Sequence, residues 1–330
     1  MEQSNKCTGI FLICGLLLLS IGMVLAIRLG SVPITFSHIK NSIFNYNGTL
    51  EHMLIRDVRL PRALCVLLTG GILGVSGAMM QGVTRNPIAE PSILGVSQGA
   101  TLIIAVFYSL GIGVTTKNIM AASFIGALIS GLIVLIFISK KADNNSMAKI
   151  LLAGTALSTF FISLTTIAGL LSNQSQMIGF WVSGGFRNAG WSDFKLVLFF
   201  GITGLFIGML LSQKINILNL GDDVAIGLGE NPQRIRFITL MIIIPMCAAA
   251  VAVGKNIVFV GLIIPQIVRK ILGEDYRISI PCSFLGGAVL LTYADVAARM
   301  LFNPYETPIG VFTALIGIPF FLNLARKERG

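Results

Sequence analysis

Hydrophobic residues in this chain are gathered into long runs divided by short polar stretches, near residues 8–29, 63–82, 92–110, 117–139, 149–171, 194–212, 235–254, 256–270, 278–302 and 307–324. About 20 apolar residues in a helix cross the roughly 30 Å hydrocarbon core of a bilayer. The pattern predicts an all-α, polytopic integral membrane protein with about ten transmembrane helices. The eighth run is short, and interrupted backbone at membrane depth is tolerated only inside protein or beside a cavity. A compact bundle is therefore expected, forming one membrane domain over residues 1–330. Lys6 precedes the first run, but its apolar length and the lack of an A-x-A-like site favour a retained helix over a cleaved signal peptide.

The longest polar stretches, 30–58 and 172–192, read as loops on one side, with Trp181 and Trp191 suited to the membrane interface. On the other side, Ile215 to Arg236 carries helical signals of its own. Asp222 is suited to cap a short helix beginning near Asp223, Gly229 to end it, and Asn231 with Pro232 to start the next. The same start signal recurs at Asn86 and Pro87. In the second run Gly70, Gly74 and Ala78 recur every four residues, with Gly71 and Gly77 beside them. Small residues at that spacing bring membrane helices into close contact.

Composition agrees: of 330 residues 55% are hydrophobic and 12% charged, with a mean hydropathy of +0.86. No single soluble core hides that much apolar surface. The net charge of +10 does not point to nucleic acid, because the basic residues are scattered between apolar runs. With both termini in the cytoplasm, Lys6, Arg85, Lys140, Lys141, Lys149, Lys214, Arg234, Arg236, Arg269, Lys270, Arg277, Arg326, Lys327 and Arg329 fall inside, as the positive-inside rule prefers. The cysteines at 7, 14, 65, 247 and 282 show no paired spacing and read as small packing residues.

The stretch from Arg59 to Ala100 carries Leu60-Pro61-Arg62, then Gln81-Gly82, then Arg85-Asn86-Pro87-Ile88-Ala89-Glu90-Pro91, then Leu94-Gly95-Val96-Ser97 and Gly99-Ala100. Phe259 to Pro265 with Arg269, Ala294-Asp295 with Arg299, and Glu306, Pro308, Gly310, Thr313, Gly317 and Pro319 to Phe321 follow in order. These blocks resemble the iron-siderophore, haem and cobalamin family of ABC importer permeases (FecCD-like, type II importers), and they extend over nearly the whole chain. One departure is Gln266, where the family usually has histidine; glutamine keeps hydrogen bonding but does not titrate near neutral pH.

The resemblance implies a permease subunit importing ferric siderophore across the bacterial cytoplasmic membrane, with iron-hydroxamate favoured and haem or cobalamin as alternatives. It implies a second permease subunit, identical or paralogous, a cytoplasmic ATPase dimer, and an extracytoplasmic substrate-binding protein. ATP and Mg belong to the partner ATPase. The chain itself has no G-x-x-x-x-G-K-[ST] loop, and no cofactor, catalytic residue or metal ligand is expected; His38 and His52 stand apart in the first long loop. Gly221, Asp222, Asp223, Ala225, Gly227, Leu228, Gly229 and Glu230 match the family's coupling helix, which sits in a groove on the ATPase.

Arg56, Arg59 and Arg299 resemble family arginines that meet carboxylates of the binding protein. Lipid headgroups or internal pairs, such as Asp57 with a neighbouring arginine or Asp295 with Arg299 one turn away, are the alternatives. Arg62 reads as a brace of the fold. Ser76, Gln81, Thr155, Ser158 and Thr159 are pathway candidates on helices the family uses for its conduit, with helix packing as the alternative. The rival class is an ion-coupled secondary carrier, which calls for several intramembrane acids or histidines; this chain offers chiefly Asp295. No cluster of His, Cys or carboxylates suggests a membrane enzyme.

Overall fold

The computed structural model describes residues 2–111, 115–139, 146–303 and 305–327, and over these the chain is helical, with no strand. Lys140, Lys141 and Arg329, and the side chains of Lys149, Arg326 and Lys327, lie outside the described residues. Helices occupy all ten apolar runs: α1 (Glu2–Arg28), α4 (Leu60–Thr84), α5 (Val96–Ser109), α6 (Thr116–Ser139), α7 (Ser146–Leu171), α9 (Trp191–Asn219), α11 (Pro232–Gly254), α12 (Val260–Leu272), α13 (Tyr276–Met300) and α14 (Ile309–Lys327). Between them lie the shorter α2 (Phe36–Phe44), α3 (Leu50–Met53), α8 (Ser175–Val182) and α10 (Asp222–Gly227). Among the described residues seven helices are long and apolar enough to cross a membrane; α5 and α14 are shorter apolar helices, and α12 has 13 residues.

Helix α4 is the centre, packed against α13, α9, α11 and α12, while α5, α6 and α7 form a second group that reaches the centre mainly through α6 and α11. The core joins Ile72, Val75, Met79 and Met80 of α4 to Ile243, Ile244 and Met246 of α11 and Leu291 of α13. The glycine spacing of α4 is explained by α13. A Cβ at Gly70 would strike the Gly287 carbonyl, and one at Gly74 the Ser283 carbonyl. Lipid tails are as apolar as the helices, so close packing of this kind is what holds membrane helices together.

Three local expectations change. The stretch 30–58 is not a loop: it contains α2, and α3 continues through a π-helical turn at Leu54–Arg59 directly into α4. Likewise 172–192 contains α8, and Trp181 is buried instead of standing at an interface, whereas Trp191 is exposed. No helix starts at Pro87. Arg85 ends α4 in the left-handed region, the Asn86 side chain accepts from the Ile88 N–H at 3.0 Å, and the next helical turn is the 3-10 segment Pro91–Leu94. An asparagine turn has taken the signal that an N-cap would have used.

Cys65, Cys247 and Cys282 are buried, whereas Cys7 and Cys14 are exposed on α1. His52 is also buried, and its Nδ1 accepts from the Asn47 N–H at 3.3 Å.

Candidate functional sites at the two ends of the bundle

At the end where α9 meets α11, Gly221 has φ of 130°, open to glycine and strained for a residue with a Cβ. It turns the chain into α10. Asp222 opens that helix without capping it: no side-chain cap is made, and the carboxylate instead lies between Arg85 at 2.6 Å and Arg236 at 2.7 Å. Arg236 also donates to the Val83 carbonyl at 3.2 Å, so α10 is pinned to the end of α4. Ala225 is fully buried beneath, whereas Leu220, Val224, Ile226 and Leu228 are exposed. Gly229 turns with φ of 82°, Glu230 pairs with Lys214 at 3.1 Å, and the Asn231 side chain caps α11 over Pro232. Asp223, Gly227 and Gly229 are open to the surface. The result is a short helix held from below with apolar side chains facing out.

Helix α12 begins inside the bundle. Phe259 adopts a left-handed conformation, and its N–H donates to the Glu90 carboxylate at 2.6 Å. A Cβ on Gly77 would fall on the backbone of Gly261, so α4 and α12 touch there. Pro265 has no N–H for the Gly261 carbonyl one turn earlier; the Gln81 amide supplies it, donating to Gly261 at 3.2 Å and Leu262 at 3.1 Å. Gln81 in turn accepts from Gln266 at 3.1 Å and Arg269 at 2.5 Å, and Gln266 also donates to the Pro87 carbonyl at 2.6 Å. The short helix is thus held by side chains from the Gln81 to Glu90 stretch, which satisfy backbone groups that its own residues leave unpaired.

At the opposite end the arginines divide. Arg59 is buried and donates to Ile27 at 2.8 Å, Arg28 at 2.9 Å and Val32 at 2.6 Å. Arg299, also buried, donates to Ala26 at 2.9 Å and Leu29 at 3.3 Å, and its Nε lies 3.1 Å from Asp295. Both therefore cover the unpaired carbonyls and negative dipole end of α1. This is internal pairing, not exposure to a partner. Arg56 alone of the three is exposed, lying 5.1 Å from the Tyr46 ring centroid.

Arg62 bridges Asp295 at 2.8 Å and Glu306 at 2.7 Å, and Arg187 reaches Glu306 at 3.5 Å. Burial works against the charge on Glu306, but the hydrogen bonds and charges of Arg62 and Arg187 outweigh it and hold the carboxyl below its ordinary range. Lys255, 5.6 Å from the Trp181 ring centroid, is pushed down by burial and by Arg187 and Arg62.

The pathway candidates do not converge. Ser76 and Gln81 are buried in the centre, and Ser158 lies half-buried near Gly95, where α5 begins. Thr155 and Thr159 face outward from α7. The row continues through Ser163 and Thr166, which sequence reasoning missed although hydroxyls four and seven residues beyond Thr159 share its helix face. Also missed were the roles of Glu90 and Arg85, whose partners lie far along the chain, and of Arg236, which shares Asp222 with Arg85.

Known proteins resemble the chain over nearly its whole length. The chain is 41% identical over 321 residues to the iron(3+)-hydroxamate import system permease protein FhuB of Bacillus subtilis (strain 168), covering 97% of this chain and 84% of that one. It is 37% identical over 317 residues to the Fe(3+)-citrate import system permease protein YfmD of the same organism, covering 96% and 94%. A solved structure described as an inward-facing metal-chelate type ABC transporter superposes with a TM-score of 0.81 at 29% identity, covering 96% of this chain and 98% of that one. With residues 18–327 matching its profile, the chain belongs to the FecCD transport family.

Proposed function

We propose that the chain is the permease subunit of an ABC importer that carries a ferric siderophore across the cytoplasmic membrane, as relatives named for iron(3+)-hydroxamate and Fe(3+)-citrate import suggest. Iron-hydroxamate is the preferred substrate. In this reading ten helices cross the membrane, including the short α5, α12 and α14, both termini are cytoplasmic, and α10 faces the cytoplasm. The single observation that carries it is α10 itself: a helix anchored by two arginines on one carboxylate, with exposed Val224, Ile226 and Leu228. Seated on a partner that moves, a helix so anchored transmits force to the end of α4.

The partner is an ATPase dimer that binds ATP and Mg; this chain holds no cofactor of its own. A second permease subunit lies across the conduit, and the exposed hydroxyl row of α7 suits a polar wall of it. Arg56 remains the candidate contact for the substrate-binding protein. Arg59 and Arg299 serve the docking surface by fixing the end of α1 beside it.

The test is uptake of labelled iron from a panel of siderophores in a strain lacking the gene. Uptake of a hydroxamate should be lost, restored by the wild-type chain, and not restored by a chain with Ile226→Asp and Leu228→Asp inserted in equal amount. Unchanged uptake of every siderophore, of haem and of cobalamin in the deletion strain contradicts the proposal.

A further inference from the structure

The end of the bundle that carries α10 also holds a cavity of about 470 Å³ between the ends of α4, α9, α12 and α14. Its charge is unbalanced. Arg85, Arg269 and Lys270 line it against one carboxylate, Glu274. Among the described residues neither Arg269 nor Lys270 makes an ion pair: Arg269 donates to the neutral groups of Tyr276 at 2.6 Å and Gln81 at 2.5 Å, and Lys270 is exposed. Arg85 is only half committed, because the carboxylate it holds, Asp222, is also held by Arg236 at 2.7 Å and 3.0 Å. An incoming anion can therefore draw on Arg85 without releasing α10.

Apolar side chains adjoin it. Phe320 of α14 lines the cavity, Ile316 one turn earlier on the same helix face is exposed, and so is Ile271 beside Lys270. Cations at the end of membrane helices, next to an apolar surface continuous with the spans, match a molecule with an anionic head and hydrocarbon tails. Asn219 adds a side-chain amide to the lining, suited to a phosphate oxygen or a glycerol hydroxyl.

We propose that this cavity is a phosphate site, filled by the phosphodiester of an anionic phospholipid whose acyl chains lie along α14. Because Arg85 belongs to both the cavity and the α10 clamp, the bound headgroup stands one side chain away from the helix that meets the ATPase. The site requires only that the chain span a bilayer, so its failure leaves the import reading intact.

The test is native mass spectrometry of the purified full chain, delipidated and titrated with dioleoylphosphatidylglycerol or dioleoylphosphatidylcholine. The anionic lipid should be retained about ten-fold more tightly, the size expected of one or two charge-assisted contacts. Lys270→Gln should reduce that preference several-fold, and Arg269→Gln with Lys270→Gln should erase it, whereas Lys195→Gln at the opposite end should not change it. Lys270 carries none of the internal hydrogen bonds of Arg269, so the single variant reads binding apart from folding. Inorganic phosphate that displaces the lipid at millimolar concentration shows that the free anion fills the same site; no displacement assigns the site to the lipid. Equal retention of the two lipids, or a preference that survives the double variant, overturns the proposal and leaves the cavity to a carboxylate of a partner protein.

Discussion

A buried arginine is stable only with its charge answered, and Arg62 is answered twice, by Asp295 and Glu306. Arg62→Gln leaves Asp295 with Arg299 alone in a buried site, and breaking such a pair costs about 3–5 kcal/mol. Thermal unfolding in detergent should fall sharply for Arg62→Gln and recover in part with Glu306→Gln, because Arg299 still answers Asp295 whereas Glu306 keeps only Arg187 at 3.5 Å. An unchanged unfolding temperature would show that the cluster is solvated and not a brace. The neighbouring arginines separate by the same criterion. Arg59→Glu should destabilise the chain by placing a carboxylate against the carbonyls of Ile27, Arg28 and Val32. Arg56→Glu should leave unfolding unchanged and weaken binding-protein association; normal association removes Arg56 from the docking surface. Of these roles the sequence revealed the Asp295 and Arg299 pair, because one helical turn joins them. It did not show that Arg59 and Arg299 hold the end of α1, since the partners there are backbone carbonyls, and carbonyls carry no residue identity to read.

Among the elements, α4 was the most legible. Gly70 and Gly74 announced a close crossing, though not that α13 would supply Gly287 and Ser283 on the other side. Gly74→Val should separate the two helices and abolish accumulation of folded protein, measured as a monodisperse peak in detergent, while Gly179→Val in α8, where a Cβ meets nothing within 4 Å, should not. A folded, fully active Gly74→Val chain would mean that the α4 and α13 contact is slack. The short run 256–270 was readable as an interrupted span, but not its means of support. Gln81 and Glu90 satisfy the start of α12, and Gln266 of α12 donates to Pro87, each across more than 160 positions in sequence, and no local pattern encodes such a pairing. The polar stretches 30–58 and 172–192 hid helices for a different reason: α2 and α8 are short, and their apolar residues do not form a run long enough to stand out from a loop.

For the molecule as a whole, the sequence carried the class and order of the spans, because the bilayer imposes length and apolarity on each helix separately. What it could not carry is the division of labour between the two ends. One end gathers buried arginines around the end of α1 and the Asp295 and Glu306 carboxylates; the other presents α10 on a two-arginine clamp beside a half-helix held by glutamines. On the proposed function the first end receives the delivered substrate and the second meets the motor, with α4, packed on α13, running between them. A secondary carrier would instead draw its energy from an ion gradient through titrating groups inside the membrane, yet Asp295 is already engaged by Arg62 and Arg299. The direct measurement is uptake of labelled ferric siderophore in cells whose partner ATPase carries a substitution at its nucleotide-binding lysine, with and without collapse of the proton gradient. Uptake should be abolished by the ATPase substitution and, while ATP is maintained, persist without the gradient. Uptake that survives the inactive ATPase and disappears with the gradient contradicts the account.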